Sequence, residues 1–579
     1  MIRPGSTARG AAVLAALATC LLVAGCATIP SSSRPQVIDP SVAASPPAQE
    51  ADPRYAAINP QPGEQPIDIV RDFLAVGGSF ERRHERARAY LTDAEKASWI
   101  DEGSVTVLED AVYLDVRRGG AVISLRAQQR GVVEQDGSYE PKPAGYTYPF
   151  KLQKNSAGEW RIANPPPGVL VTRATFNAAY RPYSVYFLDS TRTKVVPDIR
   201  FFAAGRDKLP SLLVGAFERG PSKWMAGAVH SDLDGARLQS NVVQESDRVR
   251  VYLTGLGDGA DAMGRGGFAQ LVWTLHQLGV GGVETYVDGQ PAQPRSARRL
   301  LQRLTDWGSF DPDALPPSTP GYYVRDGGVR TTNDEAVRGP AGKGDYDAES
   351  VAVSMNRRRL AVVGRDWRNR PTLFVGDFGA ALRPVLTGAS LTPPSWGASD
   401  DEVWTVRDGR DIVVVPVDGE PRSAALGDLG KADRIRSLRQ SRDGARVALV
   451  AGGSLLVGVV IRQNNAVQVD GLRKLDVGDE PVSEASWSDN SSLYALVRGG
   501  QQDSALFALG IDGESSSQLV STTGLPGPPG AIAAPPALGL PLLTVAAGAL
   551  WHTLASDEPW TPAQREREPA RAAAPVYPG

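Results

Sequence analysis

Leu360-Ala361-Val362-Val363 is the first of four similar apolar runs in the C-terminal half of this 579-residue chain. The others are Val403-Trp404-Thr405-Val406, Val447-Ala448-Leu449-Val450 and Tyr494-Ala495-Leu496-Val497. Each run follows a polar turn, and a period of about 45 residues is typical of a β-propeller blade. A weaker copy lies at Leu542 to Val545. Residues 320–560 are therefore predicted to form an all-β, propeller-like domain of five to six blades.

Turns and tryptophans in this region support the same prediction. Asp-Gly pairs at 326, 408, 418, 443 and 512 are typical of hairpin tips. Ser395-Trp396 and Ser486-Trp487 stand at matching places of two repeats, which predicts tryptophans that pack between blades. The last blade is expected to be imperfect or closed by strands from both ends of the domain. Because Arg565 to Pro569 has no apolar residue, residues 561–579 are predicted to be a disordered tail.

An α/β unit precedes the propeller and spans residues 180–310. Its predicted elements are strands at Ser184–Leu188 and Val195–Phe202, a helix at Leu209–Ala216, a strand at Arg248–Leu253, a glycine-rich loop to Gly267, a helix from Phe268 and a strand at Val283–Val287. With Tyr186-Phe187-Leu188-Asp189 in the first strand and Arg219-Gly220-Pro221-Ser222 after the first helix, this order resembles the GerMN domain of sporulation and envelope lipoproteins. The resemblance implies a binding or assembly module without established catalytic residues.

The glycine-rich loop also fits a dinucleotide fingerprint. Gly255 to Ala260 follows a strand and reads G-x-G-x-x-A, as in nucleotide-binding βαβ units. In such units the helix begins at the third small residue, so that its N-terminus meets the pyrophosphate. Here several residues separate Ala260 from the expected helix, and Asp258 and Asp261 would repel phosphates. The loop is therefore interpreted as a connection, and no cofactor is predicted.

Residues 66–170 are predicted to form an α+β domain. Ile69, Val70, Phe73 and Leu74 lie at helical spacing, Thr92 to Glu95 is typical of a capping box, and extended runs follow from residue 105 onward. This order resembles the cone-shaped NTF2-like domains, which can hold an acid or base in an interior pocket. Asp72 and His84 are the candidates for such a role. The alternative interpretation places both on solvated helix faces, because Glu81 to Arg86 is a charge run.

Cys26 ends an N-terminal segment that is typical of exported lipoproteins. The apolar run 11–23 has 13 residues, too few to span a bilayer as a helix. It leads into Val23-Ala24-Gly25-Cys26, which resembles the lipobox of bacterial lipoproteins. The resemblance implies removal of residues 1–25, an S-diacylglycerol on the Cys26 thiol and an N-palmitoyl group on its amine. Cys20 would leave with the signal, and residues 26–65, rich in proline and serine, are predicted to be a flexible tether.

Charge and composition exclude several classes of function. Lys and Arg total 62 against 65 Asp and Glu, so the chain lacks the basic excess with which nucleic-acid binders displace counterions. No nucleic-acid partner is predicted. Four His and two Cys leave little material for a metal centre, and no nucleophile elbow, zinc-protease motif or phosphate loop occurs. The chain is predicted not to be an enzyme and to have no catalytic residue and no metal.

The order of lipobox, tether, α+β domain, GerMN-like domain and propeller resembles the LpqB family of lipoproteins over nearly the whole mature chain. The resemblance implies a protein anchored by lipid at the extracytoplasmic face of the cell membrane, which binds the ectodomain of a sensor histidine kinase of the MtrAB type. It also implies modulation of that kinase, with effects on cell-wall metabolism and division. Trp224 is the candidate for the kinase contact, because exposed tryptophans often anchor interfaces. Its alternative role is a plug under the helix of the GerMN-like domain.

Two further functions remain open as alternatives. The propeller could bind or hydrolyse cell-wall glycan, with the front domains as a docking arm. The GerMN-like domain alone could bind peptidoglycan as an assembly factor. Wall fragments that shift the melting temperature would favour these functions, since binding to the native state raises stability. Co-purification of the crosslinked chain with a membrane kinase would favour the kinase-binding function instead.

Cys26→Ala is expected to leave the folded domains intact and to abolish acylation and anchoring, because the thiol is where the lipid attaches. Labelling with a palmitate analogue and globomycin-sensitive processing should both disappear. Lipid label retained on the Cys26→Ala chain would contradict this assignment.

Overall fold

The computed structural model describes most of the chain after residue 58. The described residues are 59–78, 84–101, 103–203, 208–257, 263–295, 297, 299–427, 429, 434–464, 466–499, 504–514, 518–537, 539–554, 556–563 and 571–579. They belong to one compact unit, Glu50–Gly579. The signal segment, Cys26, most of the tether, Asp258 and Asp261 lie outside the described residues. Where the chain is described, no helix is long and apolar enough to cross a bilayer.

The N-terminal domain combines short helices with one sheet. Its helices are α1 Pro66–Val76, α2 Glu85–Ala89, α3 Asp93–Ser98 and α4 Arg173–Ala179, and its strands are β1 Val105–Leu108, β2 Tyr113–Arg117, β3 Val122–Val133, β4 Tyr139–Lys154, β5 Trp160–Ile162 and β6 Val169–Thr172.

Helix α1 packs its apolar face against this sheet. Ile69, Val70, Phe73 and Leu74 are all buried, as their helical spacing predicts. The strand order is β5-β4-β3-β1-β6, with β2 beside β3. The α+β, NTF2-like class is confirmed. Helix α3 follows Thr92 as expected, although the Thr92 side chain forms no capping hydrogen bond.

The GerMN-like domain has two longer helices. Its elements are β7 Arg181–Leu188, β8 Val195–Phe202, α5 Leu209–Arg219, β9 Arg237–Leu238, β10 Val243–Gln244, β11 Arg248–Thr254, α6 Gly264–His276, β12 Gly282–Val287 and β13 Gln290–Ala292. Strands β7 and β8 form an antiparallel hairpin. Strands β11 and β12 run parallel, with α6 between them in the chain. A 3-10 helix, Leu304–Phe310, then buries Trp307 and Phe310 in the core of this domain.

Helix α6 begins earlier than the sequence predicted. It starts at Gly264 rather than near Phe268, so glycines assigned to the loop form its first turn. A Cβ on Gly266 would lie 2.2 Å from Oδ2 of Asp232, a distance that no side chain tolerates. The glycine therefore allows the first turn to pack closely against the loop that carries Asp232.

The propeller comprises six sheets within the described residues. Its elements are β14 Tyr322–Arg325, β15 Gly328–Thr331, α7 Pro340–Lys343, β16 Ser350–Val353, β17 Arg359–Arg365, β18 Pro371–Asp377, β19 Arg383–Thr387, β20 Ser395–Trp396, β21 Glu402–Arg407, β22 Asp411–Pro416, β23 Arg422–Ser423, β24 Ala425–Leu426, β25 Ile435–Gln440, β26 Arg446–Ala451, β27 Ser454–Gln463, β28 Ala466–Lys474, β29 Val482–Asp489, β30 Ser492–Arg498, β31 Ser504–Gly510, β32 Gln518–Val520, β33 Ala531–Ala533, β34 Leu542–Ala546, β35 Ala549–Thr553, β36 Thr561–Pro562 and β37 Ala572–Val576.

The ring is closed by the two ends of the domain. The innermost strands β37, β16, β20, β25, β29 and β33 contact one another in a circle. Strand β37 pairs with β14, so one blade combines the first and last strands of the propeller. The prediction of a disordered tail over 561–579 is therefore wrong for Ala572–Val576, because this segment is apolar and completes a sheet. The charged residues behind that prediction, Arg565 to Pro569, lie outside the described residues.

Trp396 and Trp487 pack between blades, as their matching places in the repeat predicted. The Trp396 indole Nε1 donates to the Ala352 carbonyl at 3.0 Å. The Trp487 indole Nε1 donates to the Arg439 carbonyl at 2.9 Å. Each acceptor belongs to the preceding blade, so each tryptophan fastens two neighbouring blades together.

The central channel of the propeller is filled. Its cavity measures about 40 Å³ and is lined by residues of the innermost strands together with Tyr577 and Gly579. The Gly579 N–H donates to the Val353 carbonyl at 3.0 Å, and the Tyr577 hydroxyl donates to the Pro541 carbonyl at 2.6 Å. The channel therefore has room for water but not for a sugar ring.

Removal of residues 571–579 is expected to lower the melting temperature sharply, because it deletes β37 and leaves the ring open between β33 and β16. Circular dichroism during heating measures the effect. Tyr577→Phe is the matched control, since it removes one hydrogen bond and is expected to cost about 1 kcal/mol. A shortened chain that melts like the full chain would show that β37 does not close the ring.

Candidate functional site: the junction of three domains

A small cavity marks the place where the three domains meet. Its volume is about 20 Å³, room for about one water molecule. Tyr139 of β4 lines it from the N-terminal domain, Asp198 and Trp224 line it from the GerMN-like domain, and Arg446 and Arg473 line it from the propeller. Buried polar and charged groups from three domains thus converge on one point.

Asp198 and Arg200 place an ion pair in an otherwise apolar strand, β8. Arg200 is fully buried, and its Nη2 donates to Oδ2 of Asp198 at 2.8 Å. The backbone N–H and the hydroxyl of Ser222 donate to the two Asp198 oxygens at 2.7 and 2.9 Å. A buried carboxylate needs such partners because desolvation without them costs several kcal/mol. The pair therefore ties β8 to the turn that follows α5.

Arg200 also reaches into the N-terminal domain. Its Nη1 lies 2.7 Å from Oδ2 of Asp136 and donates to the Asp136 carbonyl at 2.9 Å. Burial alone would raise the pKa of Asp136, but the Arg200 guanidinium and the Ser138 hydroxyl outweigh it, and the pKa of Asp136 lies below its ordinary value. The Asp136 carboxylate is therefore held ionised by a residue of the neighbouring domain.

Trp224 lies between the GerMN-like domain and the propeller. Its indole Nε1 donates to the Gly471 carbonyl at 2.7 Å. The guanidinium carbon of Arg473 lies 4.3 Å from the centre of its ring, and that of Arg446 lies 5.8 Å away. The ring is partly buried and packs against the apolar cores of both domains. Its contacts are therefore intramolecular on the side that faces the propeller.

Gly471 makes this contact possible. Its φ is +58°, and a Cβ at this position would lie 2.9 Å from Cδ1 of Trp224. A larger residue would thus be strained in its backbone and would push against the indole ring. The sequence accordingly places glycine where the tryptophan approaches the propeller backbone.

Arg446 is a second deeply buried charge at the junction. It is 1% exposed, its Nη1 lies 3.0 Å from Oδ2 of Asp443, and its Nη2 donates to the Pro197 carbonyl of β8. Burial raises the pKa of Asp443, although the neighbouring Arg446 opposes the rise. The propeller thus inserts a guanidinium that is hydrogen-bonded to the backbone of the GerMN-like domain.

Arg473 links the propeller to the N-terminal domain. Its Nη1 donates to the Tyr139 carbonyl at 3.2 Å. Burial lowers the pKa of Arg473 to about 10, so its guanidinium still carries a charge at neutral pH. One charged side chain of the propeller therefore contacts both preceding domains, since it also lies over Trp224.

Two further ion-pair contacts join the propeller to the front of the chain. Asp313, in the connection before the propeller, lies 3.3 Å from Nη1 of Arg442 and accepts from Nδ2 of Asn490 at 2.7 Å. Burial raises the pKa of Asp313 to about 7, although Arg442 opposes the rise. Glu514 is 1% exposed and lies 3.2 Å from Nε of Arg130 in β3.

The sequence-predicted acid and base of the N-terminal domain lie in separate environments. Nδ1 of His84 is 3.2 Å from Oδ2 of Asp101, which also pairs with Arg88 at 2.6 Å. Asp72 lies beside Glu64 and, with burial as the larger cause, contributes to the raised pKa of that carboxyl. The structure does not bring Asp72 and His84 together as a pair. Where the chain is described, no group of three His, Cys, Asp or Glu side chains is placed to hold a metal ion.

The sequence reasoning missed the charged residues of the junction. Asp198 and Arg200 interrupt an apolar strand at alternate positions, and this is the signal that could have identified them. Asp443 was noticed only as part of a hairpin turn. Its partner Arg446, three residues later, sits in a strand whose other residues are apolar. Charges in buried strands need partners, and several of those partners lie in other domains.

Three family descriptions match the chain in the order of its domains. "Lipoprotein LpqB, N-terminal domain" matches residues 59–177, "Sporulation and spore germination" matches residues 184–293, and "Lipoprotein LpqB beta-propeller domain" matches residues 324–578.

Relatives cover most of the chain. The "Lipoprotein LpqB" of Mycolicibacterium smegmatis is 31% identical over 82% of this chain and 84% of its own length. That of Rhodococcus jostii is 29% identical over 88% of both chains. The solved structure of a putative TolB from Agrobacterium tumefaciens is 12% identical, covers 35% of this chain and 78% of its own, and has a TM-score of 0.29, too low to support an argument.

Trp224→Ala is expected to lower the free energy of unfolding by roughly 2–3 kcal/mol, less than for a fully buried tryptophan, because it removes a hydrogen bond and two guanidinium contacts at the junction. The melting temperature measures the loss. Trp367→Ala is the matched control, since Trp367 is 83% exposed. Equal melting temperatures for both variants would contradict the structural role of Trp224 at the junction.

Proposed function

Because the chain belongs to the LpqB lipoprotein family, we propose that it is a lipid-anchored protein that binds and modulates a membrane sensor histidine kinase of the MtrAB type. Cys26 carries the lipid and holds the protein at the extracytoplasmic face of the cell membrane. The ectodomain of the kinase is the partner, and the protein influences cell-wall metabolism and division through it. The protein acts by binding and has no catalytic activity.

The observation that carries this proposal is that the buried charges of the junction bind partners within the protein. Arg200, Arg446 and Glu514, each 1% exposed or less, are all engaged with partners across domain boundaries or within the junction. A catalytic site needs a nucleophile, base or acid that is free to meet a substrate. The charged groups of the junction instead hold three domains together, which suits a protein that presents a fixed surface to a partner.

The filled channel argues against the glycan-hydrolysing alternative. Propeller enzymes and lectins gather residues at a channel mouth, whereas the channel cavity here measures about 40 Å³. A disaccharide needs several hundred Å³, the ordinary size of a ligand pocket. A glycan would therefore have to bind elsewhere on the chain, and peptidoglycan remains a candidate partner only for the front domains.

We place the kinase contact at Trp224, where a partner would meet two domains at once. The indole ring is only partly buried, and the neighbouring Lys223 is exposed. Because Trp224 bridges the GerMN-like domain and the propeller, a kinase bound there would sense how the two domains are joined. A lipid anchor and a tether of about 40 residues would raise the effective concentration toward the millimolar range, so modest affinity would suffice.

Photocrosslinking in intact cells tests this proposal. p-Benzoyl-phenylalanine replaces Lys223 in one strain and the exposed Arg368, on the β17–β18 hairpin, in the control strain. We expect a crosslink to the kinase ectodomain from position 223 and none from position 368. Both chains carry Cys26 and reach the membrane at native expression.

The possible results distinguish the proposed contact site from the proposed partner. Crosslinks to the kinase from position 368 alone would reject the contact at Trp224 and retain the partner. Absence of the kinase from the crosslinked material of both strains, together with unaltered kinase signalling in a deletion strain, would overturn the proposed function.

A further inference from the structure

A second cavity lies in the GerMN-like domain, away from the three-domain junction. Its volume is about 370 Å³, within the range of small-ligand pockets. It is lined by the start of α6, by residues 294, 297, 299 and 301–303 and by the 3-10 helix Leu304–Phe310. Nothing in the family-level function assigns a role to this place.

Three arginines surround the cavity. Arg265, Arg299 and Arg303 all line it, and Asp306 is the one carboxylate among its described lining residues. None of the three guanidiniums forms an ion pair with another described residue. The Asp306 Oδ2 accepts from the Arg303 backbone N–H at 2.9 Å, so that carboxylate is engaged with the backbone. Among the described residues, the cavity therefore offers strong donors without ion-pair partners.

Trp307 supplies an independent sign of a missing ligand. It is 3% exposed, and its indole Nε1 has no acceptor among the described residues. The Arg265 guanidinium lies 5.6 Å from the ring centre, and Phe268 stacks on the ring at 6.2 Å with an interplanar angle of 13°. Trp307 and Arg265 both line the cavity, so the indole is among the groups that a ligand would meet. A buried donor without an acceptor destabilises the protein, and a ligand oxygen that accepts from it would remove that cost.

Hydrogen bonds of Gln302 anchor the backbone between Arg299 and Arg303. Gln302 is 4% exposed, its backbone pairs with Val283 of β12 in both directions at 2.8 and 2.9 Å, and its side chain donates to the Arg299 carbonyl at 2.5 Å. The Trp307 carbonyl accepts from the Trp273 indole of α6 at 3.4 Å. Arg299, Arg303 and the Trp307 ring are thus mounted on well-anchored backbone, as a binding site requires.

We propose that this cavity binds a small phosphate ester, with the guanidiniums of Arg265, Arg299 and Arg303 and the indole N–H of Trp307 as donors to the phosphate oxygens. Guanidinium groups match phosphate geometry with paired N–H donors. Three guanidiniums and an indole N–H exceed what the two oxygens of one carboxylate can use, whereas a phosphate monoester offers three terminal oxygens and a diester offers two terminal and two ester oxygens. The remaining volume accommodates the esterified group, of about the size of a sugar.

This inference goes beyond the proposed kinase contact and does not depend on it. The phosphate could belong to a soluble ester or to a lipid headgroup, since both present anionic terminal oxygens, three in a monoester and two in a diester headgroup. A soluble ester enters as a free molecule, whereas a headgroup requires the domain to meet the bilayer surface.

Fluorine NMR on the full lipidated chain in detergent micelles tests the proposal. Tryptophan is replaced by 5-fluorotryptophan, and the Trp307 signal is assigned by its absence in Trp307→Phe. Glucose 1-phosphate is the soluble probe and glucose its uncharged control. Phosphatidylglycerol and phosphatidylcholine vesicles, with the chain reconstituted, are the lipid arm.

We expect a saturable shift of the Trp307 signal with glucose 1-phosphate or with phosphatidylglycerol, and none with glucose. Arg303→Gln and Arg265→Gln are each expected to weaken binding about tenfold, because each removes a charged donor. Arg237→Gln is the matched control, an exposed arginine on β9 of the same domain, and is expected to leave the affinity unchanged. A response to vesicles alone identifies a headgroup, and a response to the soluble ester identifies a free ligand.

The proposal is overturned if neither probe shifts the Trp307 signal, or if the arginine variants bind as tightly as the parent chain. Folding of the variants is checked by the unshifted signals of the other tryptophans. The kinase crosslink from position 223 is a separate readout, so failure here and failure of the proposed function are distinguishable.

Discussion

The structure depends on one constraint: a buried charge must meet a partner, and at the three-domain junction several of the partners sit on other domains. Arg446 of the propeller donates to the Pro197 carbonyl of the GerMN-like domain, and Arg200 of that domain pairs with Asp136 of the N-terminal domain. If the domains separated, these guanidiniums would lose the hydrogen-bond partners that they have in the neighbouring domain. Breaking a buried pair costs about 3–5 kcal/mol, so the domains are held in one arrangement.

Charged residues therefore have different roles in different parts of the protein. The charges near Trp224 hold the domains together. In the propeller, Tyr577 and Gly579 line the small cavity of the channel. By contrast, Arg265, Arg299 and Arg303 surround an open cavity with a buried, unused indole N–H. Binding in this protein is therefore expected on surfaces presented by the joined domains and in the cavity of the GerMN-like domain, not in the propeller axis.

Local pattern predicted local structure well. The apolar repeats of the propeller lie in the second strands of their blades, β17, β21, β26, β30 and β34. Strand β8 matches the predicted run Val195–Phe202 residue for residue, because hydrophobic periodicity is a local property. The end of the propeller was mispredicted, since the charge run at Arg565 to Pro569 drew attention away from the apolar segment that follows it. Helix α6 started early because the packing of Gly266 against Asp232 is a tertiary contact. The partners of Arg446 and Arg200 could not be predicted, because they depend on how whole domains dock.

The distance between two domains, measured by double electron–electron resonance, tests this account most directly. Spin labels are attached at Ser156→Cys on the β4–β5 hairpin and Glu420→Cys on the β22–β23 hairpin, both exposed, in the lipidated chain whose Cys26 thiol is expected to be blocked. The buried junction predicts a single narrow distance distribution. A broad or multimodal distribution would show that the domains move independently and would contradict the central claim.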